Sequence, residues 1–307
     1  MPTVREIQKR INSVRETQKI TNAMYLIAST KLQRARKELD STRPYFEALL
    51  SEIKRVFRVN RNIENRYFYP PGEDDDHKGC YGILAITGDK GLAGSYNYNV
   101  VRAVNRLMKE HPDHELFLVG EYGKNYYSSR GFVVKDNFWD ASNHPTSYRA
   151  REITSTLLER FMQGHIDKIY IVYTDLNKGE TKVVTSRMLP FHRANFISPT
   201  AAETEAPITG EFEFVPSLEE VLEIAVASYL SGYVYSALVD SFCCEQNARM
   251  VAMDNSNRNA QELIDELNIQ YNRVRQSLIT QEITEVTAGA MAQKRKRKKR
   301  KWQKAES

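Results

Sequence analysis

Proline and glycine are almost missing from the last quarter of this chain. From Ser217 to Gly289 there is no proline, and the only internal glycine is Gly232. A helix interior loses about 3 kcal/mol to a proline and about 1 kcal/mol to a glycine. A run of about 70 residues nearly free of both predicts one helix of about 110 Å, at about 1.5 Å per residue. A domain of this size cannot bury such a rod, so the rod is expected to be held by something outside the chain. Cysteine is scarce as well. Cys80, Cys243 and Cys244 are too few for a disulfide framework, and they read as reduced, buried thiols. No apolar run approaches the roughly 20 residues that span a bilayer. The N-terminal stretch MPTVREIQKR is charged and amphipathic, and is expected to be neither a signal peptide nor a transit peptide.

An excess of basic charge is absent from the body of the chain although the total is +5. Of 44 basic residues, eight form the run Lys294–Lys301 and Lys304 follows, while Glu306 is the one acid beyond residue 293. The remainder holds 35 basic against 38 acidic residues, a balance of −3. A body of that sign excludes nucleic-acid binding by charge alone.

What is present is a pair of helical seams. Ile7, Ile11, Val14, Gln18, Thr21, Tyr25, Ala28, Leu32, Ala35 and Leu39 follow one another at alternating spacings of four and three, and the pattern continues through Thr42 to Phe46, Leu49, Ile53 and Val56. Ala260, Ile264, Leu267, Tyr271, Val274 and Leu278 repeat it near the other end. This is the spacing of a coiled-coil interface. Pro44 predicts a bend near residues 41–44, with Thr42-Arg43-Pro44 able to restart the helix. Two seams at opposite ends of one chain predict an antiparallel coiled coil closed by an inserted globular part. The expected divisions are a first helix at 1–60, a linker at 61–79, an α/β domain at 80–200, a linker at 201–215, a second helix at 216–292 and a basic, disordered tail at 293–307.

Strand-like and helix-like segments alternate between the seams. Strands are expected at 81–87, 115–121, 131–135, 168–174 and 181–189, with 191–197 as a further candidate. Helices are expected at 95–110, 123–130 and 146–164. This order predicts an α/β layer on a mainly parallel sheet. Pro216-Ser217 followed by Glu219-Glu220 reads as the start of the long helix.

The turn TGDKGLAGSYN, Thr87 to Asn97, lies between a strand and a helix and is rich in glycine. A phosphate loop needs GxxxxGK[ST], and a dinucleotide turn needs GxGxxG. Here Gly88 and Gly91 are too close, Gly94 is followed by Ser95, and the spacing is GxxGxxG. No nucleotide site is expected. The six histidines show no metal-ligand spacing, and Asp74-Asp75-Asp76 reads as a solvated linker. No nucleophile–base set is visible. An enzyme with a nucleotide domain would lack its phosphate loop. A coiled-coil nucleic-acid binder would lack charge along its rods.

Three stretches then carry a family resemblance: INSVRETQKITNAMYLIASTKL (11–32), ITGDKGLAGSYN (86–97) and ARMVAMDNSNRNAQELIDELNIQYNRVRQSLITQEITEVTAGAMA (248–292). In content and order they resemble the gamma subunit of the F-type ATP synthase, over residues 1–292. The resemblance implies a central rotor shaft: an antiparallel coiled coil with an inserted Rossmann-like α/β domain. That shaft transmits torque between an ion-driven ring of c subunits and a hexamer of alpha and beta subunits. It also implies contact with an epsilon subunit, no cofactor, no bond chemistry of its own, no nucleic acid, and a place at the cytoplasmic face of a bacterial plasma membrane. By motif match it implies coupling roles for Met24, Arg249, Gln276, Thr280 and Glu282, and a foot near the ring at Phe212 and Phe214. Met24 would lie across the coiled coil from the C-terminal segment. The chain departs from the family at Gly88, where serine is common, and at Ala93, where cysteine is. Family members usually stop near the GAxA ending, so the tail is the larger departure. Contact with acidic surface at the crown of the hexamer through 294–301, or a brake on rotation, stands beside an inert end and a nucleic-acid patch as its readings.

Overall fold

The computed structural model describes residues 3–59, 65–69, 79–177, 180–192, 214–215 and 217–303. Its elements run α1 (Val4–Val59), β1 (Tyr81–Ile86), α2 (Tyr96–Glu110), β2 (His114–Val119), α3 (Glu121–Ser128), β3 (Val134–Phe138), a 3-10 turn (Trp139–Ala141), α4 (Ser147–Met162), β4 (Lys168–Asn177), β5 (Glu180–Leu189) and α5 (Leu218–Gln303). The chain divides into two compact units, Met1–Tyr25 with Met253–Ser307, and Leu26–Ala252.

The first unit is a two-helix coiled coil. A reciprocal capping box starts α1: Thr3 Oγ1 accepts from the Glu6 N–H, and Glu6 Oε2 accepts from the Thr3 N–H at 2.8 Å. Ile7 and Ile11 bury themselves with Ile264 and Leu267, and Val14, Leu263, Tyr271 and Val274 pack around them. Further along, Gln18 donates to the Asn257 carbonyl and to Gln261 Oε1, and Thr21 Oγ1 donates to Asn257 Oδ1. The residue numbers on the two sides run in opposite directions, so the pair is antiparallel. Gln18, Thr21 and Asn257 put polar groups in the seam. Such groups fix register, because any slip strands a half-buried amide or hydroxyl.

The second unit is built on a five-stranded sheet in the order β3-β2-β1-β4-β5. β1 pairs parallel with β2 and β4, β2 pairs parallel with β3, and β4 pairs antiparallel with β5. Every β1 residue is buried, as the central strand of a two-faced layer requires. Side chains alternate between two cores with the strand period of two. Leu84, Ile86, Phe117, Val119, Ile169 and Ile171 face the core shared with α1, α4 and α5. Tyr81, Ile83, Ala85, Leu116, Leu118 and Val172 face the core shared with α2 and α3.

α5 contributes Leu222, Val226, Leu230, Val234 and Leu238, one residue in every four, all buried. Its start is capped by Ser217 Oγ, which accepts from the Glu220 N–H. Gly232 has a reason to be glycine. A Cβ there would lie 1.9 Å from Phe46 Cδ1, so α1 and α5 close up around a missing side chain. Among the described residues α5 is long and apolar enough, by length and composition, to cross a membrane, with an 18-residue window of mean hydropathy 1.3. The apolar-run expectation is corrected on this point. Of that window 44% is buried within the protein.

Four other expectations change. α5 does not stop at Ala292 but continues to Gln303, because lysine and arginine are good helix formers and no breaker follows Gly289. α1 runs through Pro44 without a new start; Thr42 Oγ1 donates backward to the Glu38 carbonyl instead of capping forward. Residues 65–69, assigned to a linker, carry the buried Tyr67, Phe68 and Tyr69. Of the candidate strand 191–197, Phe191 makes an isolated parallel bridge to Phe68, and 193–197 lie outside the described residues.

Candidate functional site

The expected coupling residues fall in both units. In the coiled-coil unit Met24 is half-buried on α1, one turn beyond Thr21 and its bond to Asn257. Gln276, Thr280 and Glu282 are exposed on α5. The Thr280 hydroxyl donates to the Gln276 carbonyl at 2.9 Å, and its own carbonyl accepts from Thr284 Oγ1. These bonds run back along the helix, so Thr280 shows a methyl group and a satisfied oxygen to solvent.

The more telling feature is what surrounds them. α1 begins at Val4, and Val274 is the last residue of α5 packed on the seam cluster. Every residue from Arg275 to Arg295 is exposed, on a helix that carries Leu278, Ile279, Ile283, Val286 and Met291. Val286 is 72% exposed. Ile279, Ile283 and Val286 follow at four and three, the spacing of a seam with no partner among the described residues. The sequence pattern stopped at Leu278; the stretch ITQEITEV, Ile279 to Val286, held the signal for its continuation.

In the other unit, Arg249 is not a free surface cation. It donates to Glu245 Oε1 and to the Gly91 carbonyl of the turn after β1. That turn lies where strand order reverses between β1 and β4, the crevice in which α/β sheets place ligands. Here the crevice is filled by the protein: Cys244 packs with Ala93 and Tyr96, and Glu245 lies over Gly88. Burial pushes the Cys243 thiol up to about 11 and the Cys244 thiol higher. It also raises Tyr96, aided by the Glu245 charge. Glu245 is held above the usual carboxylate range by burial, against the pull of Arg249. The two cysteines enter different clusters, as adjacent positions on a helix should. Glu245 was missed in the sequence, although a lone acid in the run FCCEQ with an arginine four residues on is a readable sign. Phe214 is half-buried, and Phe212 lies outside the described residues. Among the described residues no group of three or more His, Cys, Asp or Glu side chains is placed to hold a metal.

Comparison with known proteins agrees with this geometry. A family model described as ATP synthase matches residues 3–292. The ATP synthase gamma chain of Acetivibrio thermocellus is 38% identical over 297 residues, which cover 96% of this chain and all of that one. The gamma chain of Caldanaerobacter subterraneus subsp. tengcongensis is 40% identical over 294 residues, covering 93% of this chain and 98% of the relative. Among solved structures, the central stalk and c-ring of the Tetrahymena thermophila mitochondrial ATP synthase holds a chain that aligns with a TM-score of 0.56 and 26% identity. The alignment covers 77% of this chain and 98% of that one. A sheet-bearing insert between two long helices, a self-filled crevice and full-length likeness to these relatives lead to one conclusion: the chain belongs to the ATP synthase gamma-chain family, the non-catalytic subunits of the central stalk.

Proposed function

We propose that this gamma chain works as a torque-carrying shaft inside a ring of alpha and beta subunits, driven from a c-subunit ring and accompanied by an epsilon subunit. The observation that carries this reading is the end of α5. From Arg275 to Arg295 the helix is exposed on all sides and bears an apolar stripe. Such a rod loses its hydrophobic gain unless other chains surround it. Gln276, Thr280 and Glu282 stand on this stretch and are proposed to meet the surrounding subunits; Met24 is proposed to support it from α1. Phe212 and Phe214 are proposed to belong to the foot near the ring. Coupling in this scheme is a difference in contact free energy between the shaft and each catalytic conformation around it. The proposed location is the cytoplasmic face of a bacterial plasma membrane, peripheral and held through the complex.

The basic run 294–301 extends the same helix, and we propose that it reaches acidic surface at the crown of the hexamer. Deleting residues 293–307 should then change the salt dependence of hydrolysis; an unchanged rate and salt dependence would remove this role.

The shaft reading is tested by mixing the chain with the matching alpha and beta subunits. The expected result is a complex with one copy per hexamer and ATP hydrolysis that depends on it. Full activity of alpha and beta alone, or no complex, would overturn the reading.

A further inference from the structure

Glu245 is the charged residue that this fold has least reason to keep. It lies between the buried Cys244 and Gln246, with 3% of its side chain exposed. One helical turn on, Arg249 donates through Nη2 to Glu245 Oε1 at 2.6 Å and to the Gly91 carbonyl at 3.2 Å. The carboxylate rests against Gly88, where a Cβ would lie 2.8 Å from its carbon and 2.9 and 3.1 Å from its oxygens. A side chain at this position would push the carboxylate aside.

The turn is held from its other side too. The Gly88 N–H donates to Asn97 Oδ1, and the Gly88 carbonyl accepts from the Tyr122 N–H. Asp89 accepts from the Glu121 N–H and from the Asn143 amide. The segment carries Leu92 at φ 63°, a conformation that side chains avoid. Such a backbone persists only where its surroundings over-determine it.

Burial outweighs Arg249 in setting the Glu245 carboxyl, so the pair does not stabilise the fold as an apolar pair of like volume would. An apolar pair could not tie one guanidinium to one named carbonyl. The charged groups facing Glu245 are Arg249 from its own helix, Asp89 from the turn and Lys31 from α1, with Tyr96 from α2 beside them.

We propose that Glu245, Arg249 and Gly88 form a latch that fastens the Gly88–Gly91 turn to α5, so that the α/β layer and the helix turn as one body. Arg249 is then a positioning residue inside the chain. The mechanical part rests on the shaft function; the latch itself does not, and the test separates them.

Amide hydrogen exchange is measured on the full chain and on its complex with alpha and beta subunits, together with ions pumped per ATP hydrolysed in the whole enzyme. Arg249→Met and Glu245→Gln should speed exchange across residues 89–93 by about tenfold, with Ile83–Ala85 unchanged. Gly88→Ser should do the same by displacing the carboxylate. Glu245→Asp in that background shortens the acid and should restore protection, which a general loss of packing would not. Pumping per ATP should fall with the loosened turn. Unchanged exchange in all three single variants overturns the latch. A loosened turn with an unchanged pumping ratio overturns its part in torque. Should one variant fail to fold, Glu245→Gln, nearly isosteric, and the double variant still decide the matter. Failure of the unaltered chain to join alpha and beta would count against the shaft function, while exchange on the free chain would still judge the latch.

Discussion

The same helix is written in two ways. Between Leu218 and Gln246, α5 presents a stripe of one apolar residue in four to a sheet core in its own chain, and Leu222, Val226 and Val234 reach full burial. Between Arg275 and Arg295, it presents Ile279, Ile283 and Val286 to solvent. Local chemistry is similar: both stretches are helix formers with periodic aliphatic residues. The difference is the partner, which the first stretch has within its own unit and the second lacks among the described residues; on the proposed function, other chains supply it. Mutations should therefore separate into those felt by folding and those felt by assembly.

The strongest test is Val234→Asp, which places an unpaired carboxylate at a fully buried position. It should cost more than about 4 kcal/mol and abolish the cooperative urea transition of the sheet-bearing unit. An intact transition would mean that this core is looser than the packing implies. In the coiled-coil unit, Leu267→Ala should cost about 2–4 kcal/mol, read as faster hydrogen exchange along residues 4–18 with β1 unaffected. Gly232→Ala improves helix propensity by about 1 kcal/mol but drives a methyl into the Phe46 ring. A net loss of about 1–2 kcal/mol is expected from overpacking, and a gain in melting temperature would contradict it.

A pH series sharpens the comparison further. The Glu245 carboxyl is raised in the folded chain, so between the ordinary carboxylate range and its raised value the folded state holds more protons than the unfolded one. Stability from this group falls as pH rises through that window and is recovered on acidification. Glu245→Gln should flatten the dependence of the urea midpoint there; an identical slope would show that the group is not desolvated. The smallest effect on folding belongs to the exposed stripe. Ile279→Asp and Ile283→Asp should change the stability of the free chain by no more than about 0.5 kcal/mol. They should still lower the yield of complex with alpha and beta subunits by about tenfold or more. Normal assembly would mean that the stripe is not the gripped surface.

Much of this is legible in the sequence. The seam from Ile7 to Thr21 and that from Ile264 to Val274 came from spacing alone, because a coiled coil records its contacts as a local period; Leu32 and Ala35 kept the period but pack in the sheet-bearing core. Five strands came from apolar runs and the turns between them, the third lying at Val134–Phe138 where 131–135 was expected. The buried aromatics at 65–69 were hidden beside Pro70-Pro71-Gly72, a turn signal that outweighed three residues in a row. Arg249 could be placed by motif, and Glu245 four residues before it was readable, but its bond to the Gly91 carbonyl was not, since Gly91 is far away in sequence.

Composition and periodicity determined that this chain is two long helices around a sheet, and that they pair antiparallel, because proline, glycine and heptad spacing act through neighbours a few residues apart. Only the tertiary structure decided what a side chain at Gly232 or Gly88 would meet, which carbonyl Arg249 reaches, and where the seam loses its partner among the described residues. Those are facts about close approach between segments far apart in the chain, and no local pattern encodes the distance between them.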